Sequence, residues 1–90
     1  MRESHVEEQS VDYAKTRGWM EVKLDGNGNN GKPDRVFLRG GVAVFIEFKA
    51  PGEPPSRLQV YWCKILRKQG FDFHLVDNIQ DARKVVDSYG

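Results

Sequence analysis

The first part of the chain places apolar positions at helical spacing and then alternates. An inward stripe at that spacing is formed by Val6, Ser10, Val11, Ala14 and the stem of Tyr13. Ser4 and Glu7 have the spacing of a capping box, and Gly18 tolerates the left-handed conformation that ends helices. The pattern predicts a helix over residues 3–17, and the alternation over residues 19–24 predicts a first strand with one solvated side.

The middle of the chain predicts a loop followed by a hairpin. Residues 25–32 contain three glycines and three asparagines, a composition typical of a loop. Short apolar runs over residues 34–38 and 42–49 flank a glycine turn at 39–41. Because residues 42–49 are almost continuously apolar until Glu47, they are predicted to form a central strand that is covered on both faces.

The last part of the chain predicts a helix, a strand and a second helix. Prolines precede the helix predicted over residues 56–69, whose inward stripe is expected at Leu58, Trp62, Ile65 and Leu66. Gly70 ends this helix, residues 71–76 form a fourth strand, and Asp77 or Asn78 caps the last helix. The apolar positions of that last helix are Ile79, Ala82, Val85, Val86 and Tyr89.

The order of these elements defines the fold class. Residues 1–90 form one domain of the α/β class, in the order α-β-β-β-α-β-α. A mixed four-stranded sheet flanked by helices is the packing that buries all the apolar faces. The third and fourth strands are expected to be parallel and joined by a crossover through the second helix.

Composition excludes several classes of protein. With 39% hydrophobic and 30% charged residues, the chain is an ordinary folded domain. The single cysteine, Cys63, excludes internal disulfides and multi-cysteine zinc sites. No apolar run approaches the roughly 20 residues of a membrane span, and the first 20 residues are too charged for a signal peptide. We therefore expect a cytoplasmic protein with no membrane partner. Because the net charge is only +1, any DNA binding must rely on locally placed cations.

Candidate chemistry is concentrated where the predicted hairpin strands begin and end. Glu47 and Lys49 share one face of the third strand, at the end of its apolar run, and Asp34 opens the neighbouring strand. Charged groups at such a position are costly to bury without partners. Two converging carboxylates form a hard oxygen site that suits Mg²⁺ or Mn²⁺, and an adjacent ammonium can orient an attacking water.

These residues resemble a nuclease signature. Pro33-Asp34 and Glu47-Phe48-Lys49 are similar to the PD-(D/E)xK motif, on a matching order of elements. More narrowly, the segments 31–35 (GKPDR) and 45–52 (FIEFKAPG), with Ser56-x-x-Gln59, resemble the virus-type replication and repair nuclease (VRR-NUC) domain. The similarity covers almost the whole chain and implies a restriction-endonuclease-like core, in a minimal stand-alone form.

The resemblance also implies roles for individual residues. Asp34 and Glu47 would bind Mg²⁺ or Mn²⁺, with Lys49 at the attacking water. A glutamate of the first helix would complete the acidic cluster; Glu7 fits best, and Glu3 lies one turn earlier on the same face. Gln59 would contribute from the second helix, so that the catalytic set comprises Glu7, Asp34, Glu47, Lys49 and Gln59.

Each of these residues also has a purely structural interpretation. Asp34 fits a turn after proline, and Glu47 with Lys49 fits a solvated edge pair. Glu7 fits a capping box that needs no metal, and Gln59 fits a polar contact between a helix and the sheet.

Basic and metal-ligating side chains elsewhere carry weaker signals. Lys32, Arg35 and Arg57 are candidate contacts to DNA phosphates, although single basic side chains are usually only solvated. His5 and His74 have no partner at ligand spacing, so neither is expected to bind a metal.

The leading hypothesis is a metal-dependent DNA endonuclease. Its small size favours a homodimer with two sites, acting on branched DNA such as four-way junctions, and structure selectivity fits the lack of an obvious base-reading helix. A short stand-alone form suits a mobile element or virus such as a phage, acting in DNA repair in a bacterial host. The alternatives are a non-catalytic nucleic-acid-binding module with a nuclease fold, and a small interaction protein that uses Trp62 and the last helix.

Overall fold

The computed structural model of the chain describes residues 3–24 and 33–90. Its elements are α1 (Glu3–Thr16), β1 (Met20–Lys23), β2 (Arg35–Arg39), β3 (Val42–Phe48), α2 (Arg57–Lys68), β4 (Asp72–Val76) and α3 (Ile79–Asp87). The predicted order α-β-β-β-α-β-α is therefore confirmed. The loop prediction for residues 25–32 lies outside the described residues. Within the described ranges, every helix is too short or too polar to traverse a bilayer.

The four strands form one mixed sheet in the order β1-β2-β3-β4. The pairs β1–β2 and β2–β3 are antiparallel, and β3 runs parallel to β4. The parallel pair confirms the predicted crossover through α2. Because β3 lies inside the sheet with its second half buried, the prediction of a covered central strand is confirmed there.

One face of the sheet packs against α1 and α3. The hydrophobic core on this face combines Val6, Val11 and Ala14 of α1 with Phe37, Val44, Ile46 and Phe48 of the strands and Ala82 and Val86 of α3. The stripe predicted for α1 is thus buried as expected. The other face, towards α2, carries the alternate side chains of the same strands, among them Glu47.

The N-cap predicted for helix α1 needs correction, whereas the solvated side predicted for strand β1 is confirmed. Helix α1 begins at Glu3, so Ser4 lies inside the helix and is not its N-cap. In β1, the apolar side chains Met20 and Val22 face outwards, whereas Glu21 is partly buried and Trp19 is buried. The solvated side of β1 is therefore its apolar side, because the core takes Trp19 and an ion pair takes Glu21.

One position of the stripe predicted for α2 is wrong, because Leu58 is exposed, whereas Trp62, Ile65 and Leu66 are partly buried. Leu58 is 51% exposed, whereas its neighbour Gln59 is only 3% exposed. Helix α2 begins after Ser56, whose side chain accepts a hydrogen bond from the backbone of Gln59. The side-chain amide of Gln59 faces the sheet because it forms hydrogen bonds there with Glu47 and Lys49.

Candidate active site

Asp34 lies where β2 begins, and the strands around it fix its position. Its backbone N–H donates to Ile46 O at 3.1 Å, and its carbonyl accepts from Leu24 N at 2.8 Å. The carboxylate Oδ2 accepts a hydrogen bond from the backbone N–H of Phe48 at 3.0 Å. Asp34 therefore bridges the start of β2 and the end of β3.

Glu47 lies near the end of β3 on the face towards α2, and it is 4% exposed. Its Oε2 accepts a hydrogen bond from Gln59 Nε2 at 2.8 Å. Its carboxyl group also interacts with that of Asp34. Two carboxylates from neighbouring strands therefore meet at one place, and the interpretation of Glu47 as a solvated edge residue is wrong.

Lys49 follows β3 directly and reaches the same region. Its Nζ donates to Gln59 Oε1 at 3.1 Å and lies 3.5 Å from Glu53 Oε2. Only 11% of its side chain is exposed. Gln59 thus links the two charged residues, because its amide nitrogen binds Glu47 and its amide oxygen binds Lys49.

Gln59 is itself held by the start of α2. Ser56 Oγ accepts from the backbone of Gln59 at 3.1 Å, and Ser56 N donates to Gln59 Oε1 at 2.8 Å. This is a capping box with glutamine at its third position. The same amide oxygen therefore serves the helix cap and Lys49, so helix initiation and site geometry are coupled.

Glu7 approaches the cluster from α1. Its Oε2 accepts a hydrogen bond from Arg35 Nε at 2.6 Å, and Arg35 Nη1 donates to Glu21. Glu7 is close enough to Asp34 for its charge to affect that carboxyl group. The structure thus brings together Asp34, Glu47, Lys49 and Gln59, whereas Glu7 pairs with Arg35 on the side of the sheet towards α1 and acts on Asp34 through its charge.

The pKa of Asp34 reflects the charges and the burial of this cluster. Burial raises the pKa of its carboxyl group above the ordinary value, the N–H of Phe48 opposes this effect, and the charge of Glu7 adds to it. An anionic cluster that disfavours its own ionisation is chemically suited to a cation.

The oxygen ligands that this site offers to Mg²⁺ or Mn²⁺ are two carboxylates, those of Asp34 and Glu47. Within residues 3–24 and 33–90, no three His, Cys, Asp or Glu side chains are grouped as a metal site. Mg²⁺, however, is commonly held by one or two carboxylates, with waters and substrate phosphates completing its shell. Asp34 and Glu47 supply such a pair, so these two residues would hold the ion.

Of the remaining predicted residues, the structure describes the side chains of Arg35 and Arg57. Lys32 and the side chain of Glu3 lie outside the described residues. Arg57 is exposed at the first turn of α2. Arg35 points inwards between two carboxylates, with 16% of its side chain exposed, which leaves little of it for a DNA phosphate.

Sequence reasoning missed two participants, Glu21 and Glu53. Glu53 follows Lys49 by four residues, and its Oε1 accepts from Ala50 N at 3.1 Å while its Oε2 contacts Lys49. Glu21 occupies the strand position that faces α1. Its signal was the alternation of β1, which places Glu21 on the same face as Trp19.

Known proteins share this architecture. The fold is similar to that of a solved structure described as a VRR_NUC domain, with a TM-score of 0.85, 24% identity and complete coverage of both chains. A protein named "Putative nuclease p44", from Acyrthosiphon pisum secondary endosymbiont phage 1, is 38% identical over 61 residues, which is 67% of this chain and 66% of that protein. No protein-family model matches the chain. The resemblance predicted from the motifs is confirmed: the chain has the fold of a VRR_NUC domain and is similar in sequence to a phage protein named as a nuclease.

Proposed function

We propose that this protein is a Mg²⁺- or Mn²⁺-dependent DNA endonuclease that hydrolyses phosphodiester bonds. The observation that carries the proposal is the convergence of Asp34, Glu47 and Lys49, with Gln59 joining the last two. The similarity to a VRR-NUC domain and to a phage protein named as a nuclease supports the same activity.

Each residue of the site has a distinct role in the proposed hydrolysis. Asp34 and Glu47 would hold the cation, which would supply Lewis-acid activation of the scissile phosphate. Lys49 orients the attacking water and offsets charge that develops on the phosphate. Gln59 fixes the Lys49 ammonium, and Glu7 adds negative charge beside Asp34. In-line attack by this water forms a new bond from its oxygen to phosphorus and breaks the bond between phosphorus and the 3′ oxygen. The water loses a proton to solvent and the 3′ oxygen takes one up, which gives a 5′-phosphate and a 3′-hydroxyl.

The proposed substrate is branched DNA, such as a four-way junction, bound by a homodimer. Large apolar side chains are exposed on β1 and on α2, with Met20 60%, Val22 40%, Leu58 51% and Tyr61 57% exposed. Exposed apolar groups of this kind mark interaction surfaces. Met20 and Val22 lie on the same face of the sheet as Asp34 and Glu47, so pairing at the β1 edge would present two sites together.

The proposed setting is the cytoplasm of a bacterial host, in repair or replication of phage DNA. The support for it is the relative from a phage. Lys32 and Arg57 stay proposed as contacts to DNA phosphates.

The test is cleavage of labelled junction, flap, gapped and duplex DNA in Mg²⁺, Mn²⁺ or EDTA. Asp34→Ala and Glu47→Ala are expected to lower cleavage at least ~10³-fold, since each removes a ligand of the cation. Glu8→Gln is the matched control, because Glu8 is an exposed acid next to Glu7 and keeps the parental rate.

Two outcomes would contradict the proposal. Parental cleavage by either alanine variant would exclude the site. DNA binding that persists without any cleavage in Mg²⁺ or Mn²⁺ would instead support a non-catalytic nucleic-acid-binding module.

A further inference from the structure

Arg35 joins two carboxylates on the face of the sheet that packs against α1. It donates through Nε to Glu7 Oε2 at 2.6 Å and through Nη1 to Glu21. All three side chains are largely withdrawn from water, with 16% of Arg35, 20% of Glu7 and 18% of Glu21 exposed. One guanidinium therefore ties α1 to β1 across β2.

Stability alone is a weak reason for this arrangement. Removing charges from water costs more than their attraction commonly returns, and apolar replacements are often as stable. Phe37, two residues further along the same face of β2, is fully packed in the core. An apolar side chain at position 35 would extend that core. The charge of Arg35 therefore indicates a role other than packing.

The position of Glu7 explains why a charged residue occupies position 35. Glu7 Oε2 lies 2.6 Å from Nε of Arg35, the residue directly after Asp34, so the carboxylate of α1 is held close to a proposed ligand of the cation, although the two like charges repel each other. A counter-charge is needed to keep Glu7 beside the cluster, and Arg35 provides it. Because Asp34 and Arg35 are consecutive, β2 places the anion on one face and the cation that holds Glu7 on the other.

We propose that Arg35 is a positioning residue, which acts through Glu7 to hold the α1 carboxylate at the edge of the cation site. This role rests on the proposed nuclease function. A fork with several donors suits the task, since one guanidinium satisfies two carboxylates that approach from different elements. Lysine offers a single point charge and would hold one of them less firmly.

The test compares Arg35→Gln, Arg35→Lys and Glu21→Gln in the full chain. Binding of Mn²⁺ alone, measured by titration calorimetry without DNA, is expected to weaken ~10–100-fold in Arg35→Gln. Arg35→Lys is expected to recover part of this loss. Glu21→Gln keeps an acceptor for Arg35 and is expected to bind Mn²⁺ as the parent does. With DNA, Arg35→Gln is expected to lower kcat by a similar factor and leave KM unchanged.

A double-mutant cycle separates this role from a structural one. If Arg35 acts through Glu7, then Glu7→Gln combined with Arg35→Gln is no worse than Glu7→Gln alone. Additive losses would overturn the inference, as would equal losses in Arg35→Gln and Glu21→Gln that follow their melting temperatures. Parental behaviour of Arg35→Gln, in a chain that binds Mn²⁺ and cuts DNA, would overturn this inference alone. A parent that neither binds Mn²⁺ nor cuts DNA would overturn the proposed function with it.

Discussion

At the scale of single residues, Gln59 and Asp34 decide how the site is organised. Gln59 uses both ends of its amide, donating to Glu47 and accepting from Lys49 and Ser56. A carboxylate or an ammonium at this position would lose one of these contacts. Asp34 is held by the N–H of Phe48 in a place that opposes its own ionisation.

The raised pKa of Asp34 predicts how the metal-free protein responds to pH. A carboxyl group with a higher pKa in the folded state than in the unfolded state stabilises the fold at low pH, where it is protonated in both states. This contribution is lost as the pH rises above the ordinary value of 3.8 and through the folded pKa. Asp34→Asn removes this dependence, since an amide keeps the contact with Phe48 without a charge.

The measurement is the difference in melting temperature between Asp34→Asn and the parent, taken in EDTA across acidic to neutral pH. We expect the difference to grow in favour of Asp34→Asn as the pH rises. Asp12→Asn, at an exposed position of α1, is the matched control. A difference that stays constant with pH would show that Asp34 does not resist ionisation.

At the scale of elements, helix caps connect local structure to the site. Ser56 caps α2 and Asn78 caps α3, each by accepting from a backbone N–H three residues later. The α2 cap bears on the proposed catalytic residues because Gln59 belongs to it. The α3 cap carries no predicted catalytic residue.

Ser56→Ala and Asn78→Ala therefore form a matched pair. Each is expected to lower the free energy of unfolding by ~1 kcal/mol, measured by urea denaturation. Only Ser56→Ala is expected to reduce cleavage, by roughly tenfold, because Gln59 then loses part of its support. Equal cleavage by the two variants would show that the cap of α2 does not affect the activity.

At the scale of the whole molecule, the exposed apolar side chains predict self-association. Val22 and Val60 are both valines of similar exposure, 40% and 38%, but Val22 lies on the sheet face of the site and Val60 on α2. We expect the parent to sediment as a dimer of about twice 10.3 kDa at micromolar concentration. Val22→Glu should give monomers and lose junction cleavage, whereas Val60→Glu should remain dimeric.

A monomeric parent that still resolves four-way junctions would refute the dimer. A dimer that survives Val22→Glu but dissociates with Val60→Glu would place the interface on α2 instead of β1.

Much of this architecture could be predicted from the sequence because it depends on local patterns. The order of elements, the buried stripe of α1 and the central position of β3 all follow from periodicity, which one chain segment carries by itself. The cap at Asn78 follows from residue type. Asp34, Glu47 and Lys49 stood out because charges interrupt apolar runs, and the resemblance added Glu7 and Gln59.

Only the tertiary structure decided which faces and partners those residues have. Periodicity placed Leu58 inwards, but Leu58 is exposed, and the contacts of Gln59 with Glu47 and Lys49 occupy the start of the buried side of α2. Arg35 resembled a cation free for DNA, yet it is taken up by Glu7 and Glu21 from two other elements. Such outcomes depend on contacts between segments far apart in the chain, and no local pattern encodes the distance between them.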